Sequence, residues 1–263
     1  MAGFIMALAA ALVLAGPTAA MLSRGLAAKN YRGELIPTGM GLVFLMAVLA
    51  GLGALVLLGR LDREPALAIA FWLTMVCLAG LVDDAAGDGS SRGLRGHFAA
   101  LLGGRLTTGI AKIILIGGGA LVAVDWNSGW RALVQAAILA LAVNLLNQLD
   151  LRPGRALKFF LCIAAVVALR GNALAAVGCG AAAGLLKGDL EARYMLGDAG
   201  ANLLGAVLGL AAVQTVSPGA GQALLMLALA AGNALGEFSS YSRLIAASPI
   251  LQWFDKIGRQ AGK

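Results

Sequence analysis

Apolar runs about as long as a bilayer is thick recur from one end of this sequence to the other, and that recurrence narrows its folds more than any other feature. Roughly 20 apolar residues cross a bilayer core as a helix. Where there is no water, every backbone N–H and C=O has to be satisfied within the structure, so runs of this length are read as helices. They are rich in Ala, Leu and Gly and do not alternate polar with apolar residues, which excludes an outer-membrane barrel. Charge content agrees, since 13% of the 263 residues are charged, against about 25% in a soluble domain. The expectation is an all-α, polytopic membrane helix bundle with nine candidate spans. These are residues 2–22, 39–59, 66–82, 109–124, 132–147, 157–170, 173–186, 194–213 and 221–237. Residues 1–237 are expected to form a single transmembrane domain and residues 238–263 a cytoplasmic tail. The first run has no basic stretch ahead of it, so it reads as a spanning helix and not as a cleaved signal peptide.

The polar segments between the runs alternate in charge. Sixteen of the 20 basic residues fall in every second segment: Arg24, Lys29 and Arg32; Arg92, Arg95, Arg105 and Lys112; Arg152, Arg155 and Lys158; Lys187 and Arg193; Arg243, Lys256, Arg259 and Lys263. The intervening segments hold only Arg60, Arg63, Arg131 and Arg170. Lys and Arg accumulate on the cytoplasmic side of a membrane, so the N-terminus is expected outside and the C-terminus in the cytoplasm. Trp126 and Trp130 bracket an outside loop, as interfacial aromatic anchors do. The net charge of +7 is therefore mainly a matter of topology. No soluble basic face is available for nucleic acid, whereas a basic cytoplasmic rim attracts anionic lipid heads or phosphorylated substrates.

Two further patterns point to packing. Gly180/Gly184, Gly205/Gly209 and Gly232/Gly236 are GxxxG pairs inside apolar runs, which let helices approach closely. Cys77, Cys162 and Cys179 also lie inside apolar runs without metal-ligand spacing, and are expected to be buried, inert packing.

The chemistry gathers with the basic residues. Asp83 and Asp84 end the third run in LVDDAAG, Asp150 follows the fifth in NLLNQLDLRPGR, and Asp198 opens the eighth in MLGDAGANLLG. Carboxylates at membrane depth are costly and read by default as functional. Adjacent carboxylates repel unless a cation is near, and oxygen ligands of this kind suit Mg2+. Asn144, Asn147 and Asp150 recur every three residues, which puts them on one helical flank drifting about 60° per step. They are candidates for one wall of a cavity at the membrane surface. Each also has a plainer reading: the asparagines as glue between helices, Asp150 as a loop acid neutralised by Arg152 or Arg155, Asp83–Asp84 as a solvated helix end, and Asp198 as a helix cap. Gly197 and Gly200 flank Asp198 near a helix N-terminus, which favours anions. His97, the only histidine, cannot build a multi-histidine metal site and reads as a solvated loop residue beside Arg95.

In order and sidedness these segments resemble the polyprenyl-phosphate N-acetylhexosamine-1-phosphate transferases. The matching elements are KNYRGELIPTGMG after the first span, LVDDAAG after the third, Lys112 in LTTGIAKII, the Asn144–Asn147–Asp150 triplet and GDAG around Asp198. They run from about residue 24 to residue 212. The resemblance implies a Mg2+-dependent phosphoglycosyl transferase that moves a sugar-1-phosphate from a UDP-sugar to polyprenyl phosphate, releasing UMP, in cell-envelope polysaccharide synthesis at a bacterial cytoplasmic membrane. It implies Asp83 in activating the lipid phosphate and Asp84 beside it near substrate and metal. It further implies Asp198 as a Mg2+ ligand, Lys112 against phosphate charge, and Asn147 with Asp150 on the nucleotide side. Family members carry about ten spans, a His-rich loop before the last, and DGxxGL where this chain has DLRPGR. In place of those parts Arg152, Arg155, Arg243 and Arg259 are candidates to grip phosphate bidentately.

Leu244, Ile245, Ile250, Leu251, Trp253, Phe254 and Ile257 suggest that the tail lies as an amphipathic helix on the membrane. The expected partners are polyprenyl phosphate, a UDP-sugar and membrane lipids, with a second copy of the chain a further candidate. Two other function classes remain open. One is a non-catalytic lipid-phosphate binder or scaffold on the same fold, which releases no UMP. The other is a transporter or channel, which should show internal repeats or broken helices at the midplane.

Overall fold

The computed structural model describes residues 1–86 and 108–259. The expectations for Arg92, Arg95, His97, Arg105 and Lys263 lie outside the described residues. Among the described residues nine apolar helices occur where the apolar runs lie: α1 (Ala2–Leu22), α2 (Gly41–Leu57), α3 (Arg63–Ala86), α4 (Thr108–Ala123), α5 (Arg131–Leu149), α6 (Arg155–Leu169), α7 (Ala173–Leu190), α8 (Gly197–Thr215) and α9 (Ala220–Phe238). Among the described residues four helices, over Ala2–Leu22, Arg63–Ala85, Arg131–Leu149 and Ala173–Leu190, are long and apolar enough to cross a membrane. The architecture is that of a helical membrane protein. Helix ends differ from expectation by a few residues for an identifiable reason: α7 runs on past residue 186 to Leu190, because Lys187 suits the last turn of a helix although it ends the apolar pattern.

Helix α8 is the axis of the bundle. Thirteen of its 19 residues are buried, and it touches α2, α3, α5, α6 and α7. The surrounding helices turn large apolar side chains outward, among them Leu12 and Val13 of α1, Leu67 and Phe71 of α3, and Leu224 and Leu227 of α9. Apolar surface on that scale belongs against lipid, not water.

Glycines set the spacing. Gly180 and Gly184 of α7 lie against α1, where a Cβ on Gly184 would meet the Ala11 Cβ at 2.6 Å. Gly205 and Gly209 of α8 lie against α5, and a Cβ on Gly209 would meet that of Ala142 at 2.9 Å. Gly232 and Gly236 of α9 face Leu145, Gln148 and Tyr241. All three GxxxG pairs thus face a neighbouring element. The cysteines divide: none is in a disulfide, Cys77 and Cys179 are buried, but Cys162 is exposed, because it sits on the outer flank of α6.

Two elements add to the helical expectation. Ala27–Lys29 (β1) and Leu35–Pro37 (β2) pair antiparallel between α1 and α2. Their turn is tied by Asn30, whose side-chain oxygen accepts the N–H groups of Arg32 (2.8 Å) and Glu34 (3.0 Å). The hairpin is fastened to the entry of α8, with Met195 N–H donating to Pro37 O (2.8 Å) and Gly41 N–H to Leu196 O (3.1 Å). After α9 the tail forms two short helices, α10 (Tyr241–Ala246) and α11 (Pro249–Lys256).

Candidate functional site

Four helix ends deliver polar side chains to one place. Helix α3 brings Asp83 and Asp84, α4 brings Lys112, α5 brings Asn147, and α8 brings Asp198 and Asn202. Backbone contact makes this convergence possible. A Cβ on Gly80, one turn before Asp84, would run into the backbone of Asp198 and Ala199, and one on Gly41 into that of Ala199 and Gly200. Gly197 holds φ +69°, and a Cβ there would strike Asp84 Oδ2 at 2.5 Å and Thr38 Oγ1 at 2.6 Å.

Asp84 is the anion at the α8 N-terminus. Its Oδ1 accepts the Asp198 N–H at 2.8 Å and its Oδ2 the Ala199 N–H at 3.2 Å. Two of the otherwise unpaired N–H groups of the first turn are thereby satisfied by a carboxylate from another helix. That frees the side chain of Asp198 to point away from its own helix end. Its Oδ2 receives the Lys112 ammonium at 2.6 Å, and its Oδ1 the Asn147 amide at 3.0 Å. Lys112 also reaches Asp83 Oδ2 at 3.3 Å, so one ammonium joins Asp83 to Asp198. Asn147 donates a second hydrogen to Asn202 Oδ1 at 3.1 Å. Asn202 is fully buried, and its own amide nitrogen has no partner among the described residues.

Beside this cluster lies a cavity of about 340 Å3, lined by Asp84, Asp150, Asp189 and Asp198 on its acidic side and by Lys29, Tyr31 and Arg152 among others. The Arg152 guanidinium lies 5.0 Å from the centre of the Tyr31 ring. Burial pushes the Asp150 carboxyl well above its ordinary range, and the neighbouring charges of Asp189, Asp198 and Asp84 push the same way against Arg155.

Three expected site residues, Asn144, Arg155 and Arg259, go elsewhere. Asn144 donates to Asn233 Oδ1 of α9 at 2.5 Å, while Asn233 donates to Leu229 O and Leu141 O. The 60° drift per three residues is the reason: it carries Asn144 off the α8 side of α5 and onto the α9 side. Asn144 still lines, with Lys112 and Asn202, a mostly apolar cavity of about 280 Å3 between α4 and α5. Arg155 is buried and bound bidentately to Asp255 at 2.8 and 3.0 Å, so it is not free to hold a phosphate. Arg259 is held by the same carboxylate at 2.6 Å.

The reading of the sequence missed Asp189, Asn202, Thr38 and Tyr31. Asp189 is buried, and its Oδ2 accepts the Gly154 N–H at 2.6 Å, which anchors the segment between α5 and α6. An acid at the polar end of an apolar run is the signal that selects Asp83, and it would have selected Asp189 too. Asn202 carries a similar signal as a lone amide inside an apolar run. Tyr31 and Thr38 lie within KNYRGELIPTGMG, a segment that carries part of the resemblance, but nothing in their residue type singles them out, since only the hairpin brings them to the cavity.

Among the described residues no group of three or more His, Cys, Asp or Glu side chains is disposed to cage a metal ion. Mg2+ seldom uses such a cage; it takes one or two carboxylates and completes its octahedron with phosphate oxygens and water. Asp83 and Asp198 fit that sparser pattern, because their carboxylates already meet on one cationic group, the Lys112 ammonium. Asp84 fits it less well, with both oxygens engaged by backbone N–H groups. In comparisons with known proteins, the chain matches no family model and no curated sequence.

Proposed function

We propose that this protein transfers a sugar-1-phosphate from a UDP-sugar of the N-acetylhexosamine type to polyprenyl phosphate, releasing UMP. The reaction takes place at the cytoplasmic face of a bacterial inner membrane and serves envelope polysaccharide synthesis. The observation that carries this reading is the convergence of Asp83, Asp84, Lys112, Asn147 and Asp198 from four helices beside a polar cavity. Phosphoryl transfer asks a protein mainly for positioning and for neutralisation of phosphate charge. A metal-free binder of lipid phosphate would need surplus cations. The cluster instead sets three carboxylates against one ammonium among the described residues.

The roles follow from the contacts. Asp83 takes the remaining proton of the lipid phosphate, whose oxygen attacks the sugar-bearing phosphorus while the bond to the UMP phosphate breaks. Lys112 exchanges its carboxylate partners for phosphate oxygens. Asn147 holds Asp198 in orientation, and Asp84 holds the turn that presents it. Asp150, Arg152 and Tyr31 face the cavity that takes the nucleotide. Mg2+ held by Asp198 together with Asp83 or Asp84 would supply charge neutralisation on the diphosphate.

All nine helices α1–α9 are spans in this reading, with the N-terminus outside and the C-terminus in the cytoplasm, as the distribution of basic residues requires. A cysteine introduced near position 260 should be unreactive toward reagents added from the periplasm; labelling from that side would overturn the orientation. The activity is tested by offering purified protein a panel of UDP-sugars with undecaprenyl phosphate across a Mg2+ titration. UMP release is the expected result. No UMP release from any donor, together with tight metal-independent lipid binding, would replace the enzyme by a non-catalytic lipid-phosphate binder.

A further inference from the structure

Helix α11 is inside out. Ile250, Trp253, Phe254 and Ile257 recur at the spacing of one helical face, and all four are exposed, Ile250 by 77% and Trp253 by 66%. The opposite flank turns Asp255 into the protein, where it is buried. A helix on a water-facing surface does the reverse, with its apolar stripe inward. Helix α9, which leads into the tail, likewise turns Leu227, Leu235 and Phe238 outward. Trp253 and Lys256 give the segment the aromatic and cationic groups favoured at the level of lipid headgroups.

The inward flank is keyed to one short segment. Asp255 binds Arg155 bidentately at 2.8 and 3.0 Å and Arg259 at 2.6 Å. Arg259 in turn donates to Pro153 O at 2.8 Å. Lys158 donates to three tail carbonyls, Phe254 O, Asp255 O and Ile257 O, at 2.7 to 3.1 Å. Apart from the Asp255–Arg259 pair within the tail itself, every one of these links ends between Pro153 and Lys158. The residues just before them, Asp150 and Arg152, line the larger cavity. Asp189 pins the same segment from the other side through Gly154.

We propose that Ser240–Arg259 is an interfacial strap: its apolar face rests in the lipid surface, and Asp255 on its inner face fixes the loop that presents Asp150 and Arg152 to the cavity. Asp255 is thus a positioning residue that touches no ligand. The inference stands on these ion pairs and holds whatever the cavity binds.

The test needs no turnover. Single spin labels are placed at positions 250, 256, 151 and 133 of the full chain, with Cys162 replaced by alanine. The protein is reconstituted in vesicles of phosphatidylethanolamine and phosphatidylglycerol. The label at 250 should be accessible to oxygen and shielded from an aqueous nickel chelate, and the label at 256 the reverse. In Asp255→Ala the label at 151 should move about threefold faster or more, while the label at 133, at the far end of α5, is unchanged. Asp255→Glu should restore the slow motion at 151. Arg259→Ala, which removes only the outer pair and the link to Pro153, is the second variant should Asp255→Ala unfold. A chelate-accessible label at 250 overturns the lipid seat. Unchanged motion at 151, or motion at 133 rising together with it in both variants, overturns the positioning role.

Discussion

Two charged clusters, one buried around Asp255 and one half-buried around Asp198, differ in how completely they are satisfied. Around Asp255 one carboxylate is met by two guanidinium groups, and the remaining donors of Arg155, Arg259 and Lys158 find Ser242 Oγ, Pro153 O and three tail carbonyls. Around Asp198 the described residues set three carboxylates against Lys112, leave the amide nitrogen of Asn202 without a partner, and open onto two cavities. Removing charge from water is costly unless every group finds a partner. A closed network of that kind serves the fold, whereas an incomplete one beside a cavity is where a ligand supplies the missing partner. The arginines beyond Asp150 look alike in sequence, yet Arg155 belongs to the closed network and Arg152 to the open one.

That division can be broken most directly at Arg155. Arg155→Ala should cost about 3 kcal/mol of stability, since it takes the bidentate partner from a buried carboxylate and leaves it Arg259 alone, and lipid-phosphate binding per folded molecule should be unchanged. Arg152→Ala should stay within about 0.5 kcal/mol of wild type in stability and instead weaken UDP-sugar binding. Unfolding midpoints in detergent and binding isotherms of the two variants decide it; equal mildness in both would show that the clusters are not different in kind.

At the open cluster, Asp198→Asn should lower UMP release about a hundredfold or more, equivalent to about 2.7 kcal/mol. The fold should survive, because the first turn of α8 is held by Asp84 and not by Asp198. Rates across a Mg2+ titration, alongside the unfolding midpoint, check both halves.

Asp84→Asn sharpens the comparison from within the open cluster. An amide offers one acceptor where the carboxylate offers two, and turns its NH2 toward the second backbone N–H. A loss of about 1–3 kcal/mol is expected, with faster hydrogen exchange at Asp198 and Ala199. Protected amides in the variant would mean that Asp84 is not the cap.

The smallest expected effect is a pH response. Burial opposes the charge on Asp255, but the hydrogen bonds from Arg155 and Arg259 outweigh it and hold its carboxyl below the usual carboxylate range. A depressed folded pKa means that the pair's contribution is complete above the unfolded value of about 3.9. It is lost only as pH falls through the lower folded value. The extra motion that Asp255→Ala gives the label at 151 should therefore be the same from about pH 7 to pH 5 and disappear only below about pH 4. Loosening near neutral pH would assign the hold to another group.

Much of this molecule was legible along the chain, because lipid makes a simple demand. A run of apolar residues with every backbone group to satisfy has to be helical, so among the described residues an apolar helix occurs where each of the nine apolar runs lies. The costly acids Asp83, Asp84, Asp150 and Asp198 stood out for the same reason. Their partners did not. Which of two neighbours Asn144 and Asn147 face depends on how α5 is rotated between α8 and α9, a matter of degrees that spacing leaves open. That Asp84 caps α8 depends on Gly41 and Gly80 letting backbones touch, and that Arg155 leaves the site depends on Asp255, 100 residues further along. Hydropathy is a local property and survives in one dimension; the pairing of charges is settled only when distant segments share the same low-dielectric space.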